Sequence, residues 1–273
     1  MNAQGSNGEW PEHNEEAQEI WNTNAEWWDD RIGDGNTFQD VLIEPATERL
    51  VKIAQGTTVL DICCGAGRFA RRMAELGARV VAFDFSERFV ERAKARTPDG
   101  MGNVDYHVID ATDREQLLSL GARRFDGAVA TMCLMDMCRI EPLISALPTL
   151  LKPGGWFVFS LVHPCFQPAH TCKFAESLEQ DGGLLIKRGV KVSHYLTPKA
   201  YQSIGIIGQP RPQWYFHRPL YLIFNAGFRQ GFVIDGFEEP GFPEHPADKR
   251  YLMWENIPEI PPIIVVRMRL KVQ

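Results

Sequence analysis

Three aspartates and a pair of glycines have the types and spacing to surround a nucleotide. Asp61 precedes Gly65 and Gly67, and Asp84 and Asp110 follow further along the chain. Glycines in a turn let backbone N–H groups and the positive end of the next helix approach a ligand closely. Ionised carboxylates at strand ends accept hydrogen bonds from hydroxyls and amines. The pattern therefore indicates a nucleotide or anion site.

Two histidines are candidate acid–base groups. His163 follows the fifth predicted strand, and His217 opens a helix after a long insertion. Ligands of open α/β sheets bind at the carboxyl ends of the strands, which places His163 well for acid–base work or for contact with a substrate. Structural roles are the alternatives: His163 can hold the turn at Pro164, and His217 can be a satisfied residue where a helix begins. We expect no catalytic metal, because no carboxylates are clustered.

The candidate residues fall on regularly alternating strands and helices. The predicted strands are 59–63, 79–84, 104–109, 126–131, 156–162, 232–237 and 263–270, and the predicted helices between the first five are 67–76, 86–96, 113–120 and 140–151. Strands that alternate with helices predict parallel βαβ units. The fold class is therefore α/β, with a doubly wound, mostly parallel, seven-stranded sheet.

Segments outside this alternation define the domain organisation. Residues 1–12 are expected to be disordered, and 13–55 to form a helical N-terminal cap with helices over 15–30 and 38–53. The main domain would be 56–273. Within it, 166–215 is rich in glycine, proline and aromatic residues, and long loops of this kind are usually functional. We expect it to be a lid inserted after the fifth strand.

Composition limits the classes of function. The chain of 273 residues has 44% hydrophobic and 23% charged residues, a net charge of −6 and six cysteines without a C-x-x-C pair. Reduced thiols and the absence of a signal-peptide pattern predict a cytoplasmic protein. The acidic balance argues against a broad nucleic-acid surface, and no apolar run is long enough for a membrane span.

The glycine turn by itself admits two ligands. Residues 65–70 read GAGRFA, which matches the G-x-G-x-x-G/A dinucleotide pattern, and Asp84 lies at the distance expected for a ribose contact. However, Asp61 lies inside the first strand and Asp110 ends the third. These acids favour a ligand that carries a charged amino-acid group as well as an adenosine.

Five motifs in order favour the second ligand. They are 61–67 (DICCGAG), 82–86 (AFDFS), 108–111 (VIDA), 125–129 (FDGAV) and 150–156 (LLKPGGW). With these motifs, residues 57–161 resemble the class I S-adenosylmethionine-dependent methyltransferases, in particular the small-molecule group of the type 11 and type 25 domains. The resemblance implies a Rossmann-like sheet and S-adenosylmethionine as the cofactor, with S-adenosylhomocysteine as its product.

The resemblance also implies roles for single residues. Asp61 would orient the turn and the cofactor's ammonium, and Gly65 and Gly67 would admit the methionine portion. Asp84 would accept both ribose hydroxyls, and Asp110 would accept from the adenine amine.

Further cofactor contacts are expected around these positions. The backbone of Ala111 would meet an adenine nitrogen, and Phe85 would pack on the ring. Trp28 of the cap and Thr131 at the end of the fourth strand are further candidates. Cys63 stands where the family commonly has glycine, so the backbone there must tolerate a side chain.

The function predicted from these residues is methyl transfer to a small organic acceptor by in-line displacement. Residues 130–135 read ATMCLM rather than the Asn/Asp-Pro-Pro-Tyr/Phe pattern of enzymes that methylate exocyclic amines of bases. We expect a monomer or homodimer without nucleic-acid or membrane partners. The alternatives are a tRNA-modifying enzyme that uses the same cofactor and an NAD-dependent oxidoreductase.

Overall fold

A seven-stranded sheet forms the centre of the protein, seen here in a computed structural model that describes residues 7–169, 171–244 and 252–272. Its strands are β1 Thr58–Ile62, β2 Arg79–Asp84, β3 Val104–Val108, β4 Phe125–Thr131, β5 Leu151–Val162, β10 Phe232–Glu238 and β11 Ile263–Leu270. Their spatial order is β10-β11-β5-β4-β1-β2-β3. The first five are parallel, and β11 and β10 add antiparallel strands. The predicted α/β fold class is confirmed.

Helices cover both faces of this sheet. They are α1 Asn14–Ile32, α2 Glu44–Val51, α3 Arg68–Glu75, α4 Glu87–Arg96, α5 Arg114–Leu118, α6 Glu141–Leu150 and α7 Leu220–Arg229. Phe83 and Phe157 are fully buried between the layers. Burying a side chain of this size stabilises the fold by about 1.5–3 kcal/mol. The strands read as continuous apolar runs because both faces of the sheet are covered.

The N-terminal segment differs from the expectation of disorder. Trp10 is buried, and its backbone N–H donates to the carbonyl oxygen of Cys138 at 2.9 Å. The Trp10 ring also packs against Phe216, with centroids 5.4 Å apart. A large aromatic side chain thus anchors residues 7–12 to the domain, whereas residues 1–6 lie outside the described part of the chain.

The cap contains α1, a π-helical turn Phe38–Ile43, and α2. Pro45 lies in the first turn of α2, where proline is tolerated because its missing N–H is not needed. The insertion predicted over 166–215 contains two hairpins. They pair β6 Cys172–Gln180 with β7 Gly183–Lys191, and β8 Lys199–Ser203 with β9 Gln213–His217.

No described helix has the length and apolarity to cross a bilayer. No group of three or more potential metal ligands occurs in the described ranges. Residues 170, 245–251 and 273 of the predicted main domain lie outside these ranges.

Candidate functional site

The turn after β1 has the backbone conformation that the glycines predicted. Gly65 and Gly67 have φ values of 53° and 75°, and Gly67 is the residue from which α3 begins. Cys63 also has a positive φ, 53°. A non-glycine residue in this region costs about 1–3 kcal/mol. Glycine adopts this conformation more readily than cysteine does, so Cys63 locates strain at the turn.

Asp84 joins the end of β2 to this turn. Its Oδ2 accepts from the backbone N–H of Gly65 at 3.0 Å, and its Oδ1 accepts from the N–H of Ser86 at 2.9 Å. Burial raises the pKa of Asp84 to about 6, although these backbone donors favour the ionised form. The carboxylate is therefore ionised at neutral pH and ready to accept further hydrogen bonds.

Asp61 lies behind the turn rather than in its opening. Its side chain is 1% exposed, and neither carboxylate oxygen has a hydrogen-bond partner within the described ranges. Burial, together with the charge of Asp84, raises the pKa of Asp61 to about 8. Buried polar atoms are normally satisfied, so these two oxygens indicate a site that a donor completes.

Asp110 is held by the cap. Its Oδ2 accepts from the side-chain amide of Asn14 at 2.7 Å, and its Oδ1 accepts from the N–H of Thr112 at 2.7 Å. One helical turn further, Gln18 donates to the carbonyl oxygen of Phe85 at 2.7 Å. Helix α1 therefore lies across the carboxyl ends of β2 and β3, where the acids are.

A cavity of about 570 Å³ opens at these strand ends. Ligand sites in proteins usually measure about 300–1,000 Å³. The predicted cofactor residues that line it are Trp28, Cys63, Gly65, Asp84, Phe85, Asp110, Ala111 and Thr131. Two predicted residues, Asp61 and Gly67, do not line it. A Cβ on Gly67 would lie 2.5 Å from the Tyr106 hydroxyl, so that glycine is needed for packing beneath the turn.

The insertion and the cap together form the opposite side of the cavity. Asn24 of α1 exchanges two hydrogen bonds with the backbone of Arg211, at 2.9 and 3.0 Å. The indole N–H of Trp214 in β9 donates to Glu16 at 2.8 Å. Residues of the insertion that line the cavity include Gln167, Lys173, Gly205, Ile206, Gln213 and Tyr215.

His163 is not among the cavity-lining residues. Its Nδ1 accepts from the N–H of Cys165 at 3.2 Å, so its Nε2 carries the proton and lies 2.9 Å from Glu239. Burial lowers the pKa of His163, although the neighbouring Glu239 carboxylate acts to raise it. This is the predicted structural alternative, in which the histidine holds the turn at Pro164. Acid–base work by His163 stays a prediction that this geometry does not support.

His217 also lies outside the main cavity. Its Nε2 donates to the carbonyl oxygen of Tyr195 at 2.8 Å, and burial lowers its pKa. The next residue, Arg218, is 3% exposed. His217 ends β9, three residues before α7 begins, and its hydrogen bond connects this strand to the loop at Tyr195. A catalytic role for His217 likewise stays a prediction without geometric support.

Several lining residues were not predicted. Asn14 and Trp21 lie on α1, where their spacing from Trp28 by about four and two helical turns is a signal that the sequence contained. Asp136 follows β4, and Gln213 belongs to β9. Nothing local marks these last two, because their proximity depends on how the insertion folds back.

Comparisons with known proteins agree with this geometry. Residues 59–155 match the family model described as a methyltransferase domain. A protein named ubiquinone biosynthesis O-methyltransferase from Paraburkholderia phytofirmans is 34% identical over 108 residues, which are 40% of this chain and 45% of the relative. One of the same name from Xanthomonas euvesicatoria is 33% identical over 146 residues, 50% of this chain and 56% of the relative.

The chain thus spans about half the length of the curated relatives it matches. A solved structure matches more fully. The S-adenosylmethionine dependent methyltransferase from Mesorhizobium loti is 27% identical, with 82% of this chain and 96% of that chain covered and a TM-score of 0.64. With three of the five motifs at the cavity edge, these matches show a methyltransferase domain over residues 59–155 that is similar to the S-adenosylmethionine-dependent methyltransferases.

Proposed function

We propose that this protein transfers a methyl group from S-adenosylmethionine to a small organic acceptor by in-line displacement. The observation that carries the proposal is a single cavity with two chemically different sides. One side has Asp84, Asp110 and the glycine turn, and the other has Asp136 and Tyr215. A displacement needs both reactants aligned in one site from which water is excluded.

The residues present fit the cofactor. Asp84 would hold the ribose hydroxyls, Asp110 and Ala111 the adenine, and the turn at Gly65 the methionine portion. The buried, unpaired oxygens of Asp61 fit a positively charged amino group on the other side of the turn, reached through that backbone or through water. When bound, S-adenosylmethionine supplies an electrophilic methyl group on a positively charged sulfur.

The protein's own contribution is then positioning and shielding. Trp21 and Trp28 lie over the cavity and pack edge to face, with centroids 5.5 Å apart. A Cβ on Gly205 of the insertion would lie 3.0 Å from Trp28, so the insertion and the cap are in direct contact. We infer that residues 166–215 act as a lid with the cap.

Support for a small-molecule acceptor comes from the relatives and from the shape of the site. The curated relatives are named for ubiquinone biosynthesis and as O-methyltransferases. The acceptor side is enclosed by side chains from the cap, the insertion and the loop after β4. A net charge of −6 disfavours nucleic acid as the acceptor. A cytoplasmic location and a monomeric or homodimeric state belong to the same proposal.

Calorimetry with purified protein tests the cofactor. We expect binding of S-adenosylmethionine and S-adenosylhomocysteine and none of NAD. Binding of NAD without the sulfur compounds would show an oxidoreductase instead. Mass spectrometry of a metabolite extract incubated with the protein and isotope-labelled S-adenosylmethionine then identifies the acceptor. Label found only in tRNA would replace the small-molecule acceptor with the tRNA-modifying alternative.

A further inference from the structure

The loop between β4 and α6 places one carboxylate in the acceptor side of the cavity. Asp136 lies five residues beyond Thr131, the last residue of β4. Strand β1 pairs with β2 on one side and with β4 on the other. Asp136 therefore approaches the glycine turn from the side opposite to Asp84, beyond the residues that account for the nucleoside.

The backbone around Asp136 is held firmly. The carbonyl oxygen of Met135 accepts from the N–H of Phe216 at 2.7 Å, and the carbonyl oxygen of Met137 accepts from the Arg218 guanidinium at 2.9 Å. The backbone N–H of Asp136 donates to the carbonyl oxygen of Cys133 at 2.8 Å. A carboxylate on such a loop keeps its position, which is a requirement for a group that must meet a substrate atom.

The side chain of Asp136 has spare capacity for a donor. Within the described ranges, the one side chain that hydrogen-bonds to it is Gln213, whose Nε2 lies 3.4 Å from Oδ1. The titratable groups that face it are Tyr201 of β8 and Tyr215 of β9, stacked with centroids 5.6 Å apart. No cation of the described chain contributes to its titration. The surroundings are aromatic and neutral.

We propose that Asp136 is the general base that accepts the proton of an aromatic hydroxyl on the acceptor. The inference rests on the proposed function. The carboxylate takes the hydroxyl proton while a lone pair of the acceptor oxygen forms the new bond to the methyl carbon. The carbon–sulfur bond breaks, its electron pair stays on sulfur as a neutral thioether, and the proton later passes from Asp136 to water.

The surroundings of Asp136 suit this task. Burial raises the pKa of Asp136 well above its usual range, which brings it closer to that of a phenol and makes proton transfer less unfavourable. Tyr201 and Tyr215 keep their protons, because burial and the charge of Asp136 raise their pKa values as well. Tyr215, Met135 and Met137 line the cavity beside it and offer an aromatic and thioether surface to a planar ring.

Two phenols of different acidity provide the test: catechol, which is protonated at neutral pH, and 4-nitrocatechol, which ionises readily. Methyl transfer to both is compared for the wild type, Asp136→Asn and Asp105→Asn. Asp105 is an exposed carboxylate on β3 outside the cavity, so its variant is the matched control. For Asp136→Asn we expect kcat with catechol to fall about 100-fold, the usual scale for a lost general base.

With 4-nitrocatechol the same variant should lose less than about tenfold, since the acceptor is already ionised and needs no base. Equal losses with both phenols, or no loss with either, would overturn the proposal.

Gln213→Leu is a second variant. Because Gln213 lowers the pKa of Asp136, its removal should move the rise of kcat with pH to higher pH without abolishing activity. An unchanged profile would contradict the role of Asp136.

Binding measurements separate this inference from the proposed function. Calorimetry with S-adenosylmethionine, and the visible absorption of 4-nitrocatechol bound to protein loaded with S-adenosylhomocysteine, do not depend on turnover. Wild-type protein that does not bind the cofactor refutes the proposed function itself. Protein that binds the cofactor and methylates phenethylamine but neither phenol refutes the hydroxyl acceptor alone. Asp136→Asn should leave cofactor affinity unchanged within about twofold, a difference of less than about 0.5 kcal/mol.

Discussion

The backbone N–H of Gly65 donates to the Asp84 carboxylate at 3.0 Å, which connects the turn after β1 to the end of β2. The contact joins two motifs that are 19 residues apart in the chain. It orients the carboxylate toward the cavity and fixes the turn at the same time. Any change to Asp84 therefore affects both the proposed ribose contact and the conformation of the turn.

Asp84→Ala should weaken the binding of S-adenosylhomocysteine by about 1.5–3 kcal/mol, the scale of hydrogen bonds to a charged group. Because the pKa of Asp84 is raised to about 6, wild-type affinity should also fall as the pH drops from 7 to 5 and the carboxylate gains a proton. Calorimetry over this pH range measures both effects. Affinity equal to that of Asp105→Ala would remove Asp84 from the site.

Asp61 should make the stability of the ligand-free protein depend on pH. Burial and the charge of Asp84 raise the pKa of Asp61 from its ordinary 3.8 to about 8 in the fold, so the folded state holds a proton that the unfolded state releases. The stabilisation is complete below the lower pKa and is lost as the pH rises through the upper one. The free energy of unfolding should fall by up to about 1.4 kcal/mol per pH unit in this range.

Asp61→Asn should remove this dependence, because the amide does not ionise. Urea unfolding between pH 6.5 and 8 isolates Asp61, since Asp84 has already lost its proton there. A wild-type curve parallel to that of the variant would show that Asp61 is ionised in the fold.

Arg218 should be a major source of stability where the insertion joins α7. Its guanidinium donates to the carbonyl oxygens of Gly8, Leu134, Met137 and Cys138, and it lies over the Trp10 ring at 5.1 Å. Arg218→Met would remove this donor from all four acceptors, although Cys138 keeps the N–H of Trp10. Each buried acceptor left without a donor costs about 1–3 kcal/mol.

We therefore expect Arg218→Met to lower the free energy of unfolding by about 3 kcal/mol or more in chemical denaturation. Arg229→Met changes an exposed arginine on α7 and should stay within about 0.5 kcal/mol of the wild type. Similar values for the two variants would mean that solvent satisfies the four carbonyls.

Trp28 should report cofactor binding through its fluorescence. It lines the cavity, and its indole N–H has no partner in the described segments. A ligand that covers the ring changes its environment, so S-adenosylhomocysteine should alter the emission of the wild type. The change should shrink in Trp28→Phe and persist in Trp156→Phe, which alters a buried ring in β5. A full response from Trp28→Phe would show that the ligand does not cover Trp28.

Local patterns predicted most of the strand and helix order and most of the residues that line the cavity at the ends of β1, β2 and β3. β2 occupies the predicted residues 79–84, and α4 begins one residue later than predicted. β5 extends back to Leu151, although its regular pairing with β4 resumes only at Trp156, beyond the glycines. Alternating strands and helices repeat over short distances, and the acids follow the strands directly. Residues that are neighbours in the sequence are therefore enough to predict the elements and the acids at their ends.

The sequence by itself determined the α/β class, the glycine turn and the acids at the strand ends. Only the tertiary structure decided what faces them: Asn14 reaches Asp110 across 96 residues, and Gln213 reaches Asp136 across 77. The tertiary structure also places His163 and His217 outside the cavity. Such contacts depend on how the cap and the insertion pack against the sheet. Packing brings together residues that are far apart in the chain, and no regular spacing in the sequence marks them.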